Sequence, residues 1–234
     1  ELVPFSSDNL DLSLEWYYGD ASYISAGYFR KNVANFITNT KQTKTFMLAD
    51  GSLLTDPSTG SDVSGPDADD SVAVFTNTAP SNGESATVDG WELAAQHTFD
   101  SGFGLIANAT IVDSDTELDN ADITQVFAVT GLSDSVNFVA FYENGPFEGR
   151  IAYNWRDSFL QSLSQNAGDG VTIVEDYFQW DASASYDVTD QVTVFVEGIN
   201  LTEEYTHSRG RFANQLLDIV DSGRRLSVGV RGSF

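Results

Sequence analysis

His97 and His207 are the two imidazoles of this 234-residue chain, which contains no cysteine. Nucleophilic catalysis needs a Ser, Thr or Cys within reach of a base that a third group orients. Neither histidine has an acid and a nucleophile grouped near it, so no catalytic residue is expected. Without cysteine there is no thiol chemistry, disulfide framework or cysteine-ligated zinc. Asp113, Asp115 and Glu117 alternate as at the start of a calcium loop. Leu118 then stands where the sharp turn wants glycine, and Thr124 where a bidentate Glu would close the coordination shell. The run reads as a solvated loop, with no metal site and no cofactor expected. Asp67, Asp69 and Asp70 form a second acidic cluster that could bridge divalent ions weakly. Asn200-Leu201-Thr202 matches a glycosylation pattern, and Gly223-Arg224-Arg225 is no phosphate loop because no helix follows it.

The charge balance removes further classes. Thirty-five Asp and Glu against 11 Lys and Arg leave a net charge of −24. A nucleic-acid partner would need basic residues to replace counterions along the phosphates, so none is expected. Hydrophobic residues at 41% and aromatics at 12% are too many for a disordered acidic tail. Apolar runs are only a few residues long, as at 138–142, so a membrane-spanning helix is excluded and a membrane-spanning strand is not. The first residues, Glu1-Leu2-Val3-Pro4-Phe5, offer neither a basic nor an apolar leader segment. The expectation is that a leader was removed with other upstream sequence, or that the chain is an excerpt of a longer protein.

What must position these residues is an array of strands, because apolar side chains recur at every second position. Over 147–156, Phe147, Gly149, Ile151, Tyr153 and Trp155 oppose Glu148, Arg150, Ala152, Asn154 and Arg156. Over 178–188, Phe178, Trp180, Ala182, Ala184, Tyr186 and Val188 oppose Gln179, Asp181, Ser183, Ser185 and Asp187. Leu226, Val228 and Val230 share a face with Phe234, opposite Arg225, Ser227 and Arg231. Weaker alternation marks strands near 12–18, 23–37, 91–99, 103–111 and 136–142. A further strand over 192–200 has apolar residues on both sides, and its faces are not assignable from the pattern.

About nine strands result, joined by connections that alternate in length. Short turns fall at Gly19-Asp20, Asp100-Ser101-Gly102, Asn144-Gly145-Pro146 and Thr189-Asp190-Gln191. Long polar segments fall near 39–83, 113–132, 159–175 and 203–221. Such sorting puts every tight turn at one end of an antiparallel sheet and every large loop at the other, as in an outer-membrane barrel. A strand rising about 3.3 Å per residue and tilted about 40° crosses a 25 Å apolar band in about ten residues. The aromatics Tyr18, Trp91, Tyr142, Trp155, Phe178 and Trp180 suit interfacial girdles. A soluble antiparallel sheet protein, such as a secreted carbohydrate-binding module, is the competing fold.

In this order the stretches SSDNLDLSLEWYYGDASYISAGYFR (6–30), ATVDGWELAAQHTF (86–99), VNFVAFYENGPFEGRIAYNWR (136–156), WDASASYDVTDQVTVFVEGINLTE (180–203) and GRRLSVGVRGSF (223–234) resemble the C-terminal part of the barrel of TonB-dependent outer-membrane receptors. The likeness is greatest to the proteobacterial group found beside carbohydrate-uptake genes. It implies an all-β fold, an antiparallel transmembrane barrel segment that forms the last nine of 22 strands, with short periplasmic turns and long extracellular loops. It implies a periplasmic C-terminus, with the plug domain and earlier strands lying outside residues 1–234. The implied activity is active import of a nutrient, with oligosaccharide favoured and siderophore or cobalamin as other cargoes, rather than catalysis. A plug-free, porin-like passive barrel is the alternative transport reading. The implied partners are outer-membrane lipid and lipopolysaccharide, the TonB complex acting through the plug, the barrel-assembly machinery and an extracellular ligand. In such a protein the Asn200 glycosylation pattern is not expected to be used.

The same resemblance makes Leu226, Val228, Val230 and Phe234 look like the signal read during barrel assembly, where a strand with an open edge adds to another sheet. A lone arc of nine strands would leave two edges unpaired in lipid and is not expected to form a stable membrane unit by itself. The inward set, among it Glu15, Glu92, Glu143, Glu148, Arg150 and Arg231, is expected to form a ladder of ion pairs and hydrogen bonds that docks the plug. At the extracellular end, Asn154, Arg156, Arg209 and Arg211 are the candidate ligand-binding residues, with Tyr177, Tyr205, Asn214 and Gln215 nearby in sequence.

Overall fold

Period-two alternation hides one face of a strand only when its neighbours pair in the matching register. The computed structural model describes residues 2–60, 69–123, 125, 127–163 and 170–233, leaving aside the side chains of 39–41. Among them there is no helix, and the strands in chain order are β1 (Ser6–Gly19), β2 (Ser22–Ala34), β3 (Ile37–Lys44), β4 (Thr55–Asp56), β5 (Ser71–Val72), β6 (Phe75–Asn82), β7 (Ala86–Thr98), β8 (Phe103–Ser114), β9 (Ser135–Asn144), β10 (Phe147–Arg156), β11 (Phe159–Leu163), β12 (Val171–Val174), β13 (Tyr177–Thr189), β14 (Val192–Ile199), β15 (Thr206–Arg209), β16 (Leu216–Val220) and β17 (Arg225–Gly232).

Nine of them form one antiparallel sheet in the order β1-β2-β7-β8-β9-β10-β13-β14-β17, the nine strands that the alternation predicts. The sheet is an open wall rather than a closed barrel. Its tight turns, β1–β2, β7–β8, β9–β10 and β13–β14, all lie at one end, and the four long connections leave from the other. Gly102, with φ of +89°, completes the β7–β8 turn, where a Cβ would lie 2.3 Å from the Glu143 carbonyl oxygen.

Register sorts the side chains. Leu12, Tyr28, Trp91 and Ile111 oppose one another in turn across β1, β2, β7 and β8 on the apolar face. The faces of β14, unassignable from sequence, are settled by its partners. Val194 pairs with Tyr186 and Val230, and Val196 with Ala184 and Val228, so these valines belong to the apolar face and Phe195 to the polar one. That apolar face covers no core: Leu14 is 75% exposed, Trp16 63% and Val228 85%, and no large side chain among the described residues is fully buried. Such a surface suits lipid rather than water.

Aromatics ring the apolar face near both ends. Toward the turns, Phe103 lies 4.5 Å from Tyr142, and Tyr18 stacks on His97 with its hydroxyl 3.2 Å from the imidazole Nδ1. Toward the loops, Tyr28 meets Trp91 at 5.2 Å and Tyr153 meets Trp180 at 4.8 Å. His97, which interrupts the apolar alternation, thus sits in the turn-end belt, where a polar tip meets water.

The polar face has its own packing rule. Phe29, Phe141 and Phe195 point inward, and each lies over the glycine directly opposite it, Gly90, Gly104 and Gly229. A Cβ on those glycines would fall 2.8, 2.1 and 2.4 Å from the ring atoms. An aromatic laid over a cross-strand glycine restores the packing that glycine lacks.

The chain divides into two compact units, Glu1–Phe5 with Asn35–Gly83 and Ser6–Ala34 with Glu84–Phe234. In the first, the segment read as a polar loop contains a β3–β6 ladder, rich in threonine, that runs from Ile37–Asn82 to Lys44–Phe75. Asn82 fastens it, accepting from the Val3 amide at 2.8 Å and donating to the Val3 and Asn35 carbonyls at 2.7 and 3.1 Å. Asp50 and Asp56 each accept from the hydroxyl and amide of the serine two residues on, which holds both carboxyls below their ordinary pKa. In the second unit, the connections after β10 and β14 also fold, into a four-stranded sheet β11-β12-β15-β16.

Candidate functional site

Three connections of the second unit converge at the loop end of the wall. Asp113, Glu117, Asp134, Asp157, Phe159 and Arg209 line a hollow of about 330 Å³ between them. Its three aspartates are anchored locally: Asp134 accepts from the Val112 amide at 2.9 Å, Asp113 from the Ser114 amide at 2.8 Å, and Asp157 from the Ser158 amide at 2.6 Å. Asp115 instead accepts from the Thr87 amide and the Thr116 hydroxyl, both at 2.8 Å, and these bonds pull its pKa below the ordinary value. The carboxylates of Asp113 and Asp115 therefore serve nearby amides and a hydroxyl, and no set of three His, Cys, Asp or Glu able to hold a metal ion occurs among the described residues.

Arg209 and Arg211 are committed within this loop assembly. Arg209 forms an ion pair with Glu175 and donates to the Gly210 and Arg211 carbonyls at 3.2 and 3.3 Å. Arg211 donates to the Asp119 carbonyl at 2.6 Å, tying the β15–β16 hairpin to the β8–β9 connection. Arg156, the last residue of β10, lies 4.6 Å over the Phe159 ring, and its Nε is buried without a hydrogen-bond partner. His207, on β15, likewise has a buried Nδ1 without a partner and shows no catalytic grouping.

Asn200 carries a role that the sequence pattern misstates. It is only 2% exposed and adopts φ of +54°. Its amide nitrogen donates to the Glu204 and Gly223 carbonyls at 2.7 and 3.4 Å, its carbonyl oxygen accepts from the Glu204 amide at 2.9 Å, and its backbone amide donates to Asp181 at 2.9 Å. Asn200 closes the loop above β14, and its buried amide leaves no room for a glycan.

Asn154 belongs to a row that sequence reasoning missed. Asn108 opposes Asn137, Asn137 opposes Asn154, and Asn154 opposes Gln179, so four amides stand side by side across β8, β9, β10 and β13. On β9, β10 and β13 this row lies two residues in from the loop end. Gln179 is engaged, accepting from the Tyr177 hydroxyl at 2.7 Å and donating to both Asp181 oxygens at 2.7 and 2.9 Å. The side-chain amides of Asn108, Asn137 and Asn154 have no partner among the described residues. They border a hollow of about 620 Å³ that also meets Arg150 and Glu197.

Nearer the turns the polar face is charged. Glu143 stands directly opposite Glu148 across β9 and β10, and with Arg150, Glu197 and Arg231 they border a hollow of about 420 Å³. The expected ladder of ion pairs is absent: no ion pair joins two residues of the polar face among the described residues. Arg231 lies 5.8 Å over the Phe195 ring instead, and the Ser185 hydroxyl is 3.3 Å from the Glu148 carboxylate. Of the expected ladder only hydrogen bonds are present, from Ser185 to Glu148, Gln179 to Asp181 and Thr193 to Asp187.

The wall has known counterparts. The chain is similar to the siderophore receptor PirA from Acinetobacter baumannii, at 14% identity and a TM-score of 0.64, and to the copper transporter OprC, at 15% and 0.63. A ferric enterobactin receptor mutant (PfeA) from Pseudomonas aeruginosa, in complex with enterobactin, matches at 15% and 0.62. In each case all of this chain aligns with 32% of the other, so it spans about a third of the structures it matches. No curated protein matches the sequence. The family model described as TonB dependent receptor-like, beta-barrel matches residues 1–201. With a nine-stranded antiparallel wall, sorted connections and an exposed apolar face, this chain belongs to the TonB-dependent receptor β-barrel family.

Proposed function

We propose that the chain is the last nine strands of the wall of an outer-membrane importer that takes up an oligosaccharide, using energy relayed by TonB from the inner membrane. The observation that carries this reading is the wall itself, whose apolar face is uncovered while its polar face borders hollows at both ends. In this reading the turns are periplasmic, the long connections are extracellular, and the C-terminus is periplasmic. The polar face receives a plug domain from elsewhere in the receptor. The unpaired Glu143–Glu148 couple and Arg150 and Arg231 are suited to a plug of complementary charge, since facing carboxylates gain from a cation that neither strand supplies. The protein binds and gates, and no bond is made or broken.

Leu226, Val228 and Val230 support the assembly role. They lie on the apolar face of β17, which among the described residues pairs with β14 alone. Phe234, the fourth residue of that signal, lies outside the described residues. The test of the importer reading is uptake of labelled oligosaccharide by cells that carry the full-length receptor. Uptake should vanish when TonB is deleted or the proton gradient is collapsed. Uptake that survives both treatments identifies a passive barrel.

A further inference from the structure

The loop sheet repeats the order of the wall strands from which it springs. β11 follows β10, β12 precedes β13, β15 follows β14 and β16 precedes β17, through joints at 157–158, 175–176, 200–205 and 221–224. The order β11-β12-β15-β16 is therefore the wall order β10-β13-β14-β17 carried past the loop end. The far side of β11 keeps the same rule. The wall neighbour of β10 is β9, and the chain just before β9 runs beside β11: the Asp157 amide donates to the Asp134 carbonyl at 2.9 Å, and the Gly131 amide to the Leu160 carbonyl at 2.8 Å. Neighbours in the wall thus stay neighbours beyond it.

We infer that β16 is a docking edge, and that its occupant is the chain that continues the strand closing on β17 in the whole receptor. This rests on reading residues 1–234 as the last nine strands of a barrel, and it extends that reading from the wall to the loop sheet. Among the described residues β16 pairs with β15 alone, as β17 pairs with β14 alone. A first wall strand that runs from the turn end to the loop end lies antiparallel to β17. Continued past the loop end by the rule above, it meets β16 in the same sense and adds one strand to the loop sheet.

The side chains of β16 carry the second part of the argument. Leu216, Leu217, Ile219 and Val220 are between 51% and 59% exposed, and Asp218 is the one charge among them. Their partner strand β15, Thr206–Arg209, is polar throughout and offers them little apolar cover. The leucine and valines of β17 meet lipid, but β16 stands in the loop sheet, where the importer reading puts water. An apolar edge in water is a liability that proteins charge, shorten or cover. β16 is neither charged along its length nor bulky at its edge, so it fits the covered class. The occupant that matches it is an extended segment rich in β-branched or aromatic residues, with a basic or hydroxyl side chain against Asp218.

The experiment follows hydrogen exchange in the full-length receptor purified in detergent. In an antiparallel edge strand the outward amides have no ladder partner, and they exchange as solvent amides do. An occupied edge should slow every amide of 216–220 by at least about 100-fold, as in 225–232. The photo-crosslinking variant Leu217→p-benzoylphenylalanine, in a receptor that keeps the heat-modifiable mobility of a folded barrel, identifies the occupant in cells. It should give an intramolecular product whose second peptide lies between the first two wall strands. A product with a second copy of the receptor, with another protein or with lipopolysaccharide overturns the choice of occupant. Fast exchange across 216–220 overturns the edge itself. If 225–232 stay protected in that case, the nine-strand wall stands without this seam. If the outward amides of β17 also exchange freely, no strand closes on the wall, and the last-nine reading fails as well.

Discussion

The loop half and the turn half of the polar face come from the same strands, yet they present opposite chemistry. Toward the loops, Asn108, Asn137 and Asn154 stand in a row without formal charge. Toward the turns, Glu143 faces Glu148, and Arg150 and Arg231 reach the same hollow without pairing to either. A face meant to stabilise itself would join these groups, because an opposed like-charge pair costs a few tenths of a kcal/mol or more. Charge on this face is therefore left unpaired toward the turns and is absent from the amide row toward the loops. The wall's own cohesion rests on its backbone ladder and on the aromatics laid over glycine.

Exchanging the two chemistries tests that contrast most severely. On the importer reading, Asn137→Asp with Asn154→Asp puts two carboxylates into the neutral row and is expected to weaken binding of the imported oligosaccharide by about 100-fold, or about 2.7 kcal/mol. Calorimetry on the full-length receptor reads this directly. Glu143→Gln with Glu148→Gln should leave that affinity unchanged within about twofold, and should instead raise the protease sensitivity of the plug. Equal loss of affinity from both pairs would mean that the two halves do not act separately.

How far this contrast was legible follows from how far register was legible. The two-residue turn Gly145-Pro146 sets Phe147 against Asn144, and that register alone brings Asn154 opposite Asn137 and Glu148 opposite Glu143. Those two couples could have been found from the sequence. Asn108 joins the row only through β8–β9 pairing across a 20-residue connection, whose length leaves the register open. The nine strands were readable because lipid demands a strict period of two. β14 resisted because Phe195 is an apolar residue packed on Gly229 inside the polar face, and a side chain's partner is not written in its own strand. The loop strands β3, β6, β15 and β16 were hidden because their residues do not alternate apolar with polar. Arg209 and Arg211 read as free ligand-binding groups because their partners Glu175 and Asp119 come from other connections.

The next effects concern what holds each half in place. Asn200→Ala removes one side chain from three backbone groups and strands the half-buried Glu204 amide, which should destabilise the loop assembly by about 2 kcal/mol. Hydrogen exchange in 203–221 should rise while β9 and β10 stay protected. Toward the turns, Gly104→Ala drives a methyl group into the Phe141 ring and should cost about 1–2 kcal/mol, read as a lower temperature for loss of the folded electrophoretic form. Phe141→Ala in the same chain should restore part of that loss, since the clash and its remedy are the same contact. If the double variant is no more stable than Gly104→Ala alone, the glycine is needed for its backbone rather than for the ring.

The smallest expected effect lies where the wall meets the β8–β9 connection. The Asp115 carboxylate accepts from the Thr87 amide near the start of β7, and this bond, with that from the Thr116 hydroxyl, favours the charged form and lowers the folded pKa. A depressed carboxylate contributes stability above its unfolded pKa of about 3.9, and the contribution fades as pH falls through the lower folded value. Protection of the Thr87 amide, corrected for intrinsic exchange, should therefore be level from pH 7 to about 5 and should decline only in stronger acid. Asp115→Asn should remove the acid-dependent part and leave amides in the middle of β7 unchanged. The group is solvent-exposed, so added salt should weaken the coulombic part of the shift that comes from Arg30 while sparing the two hydrogen bonds. A decline of the same size in Asp115→Asn would assign the acid response to another carboxylate of the same connection and leave the loop half of the wall without this tether.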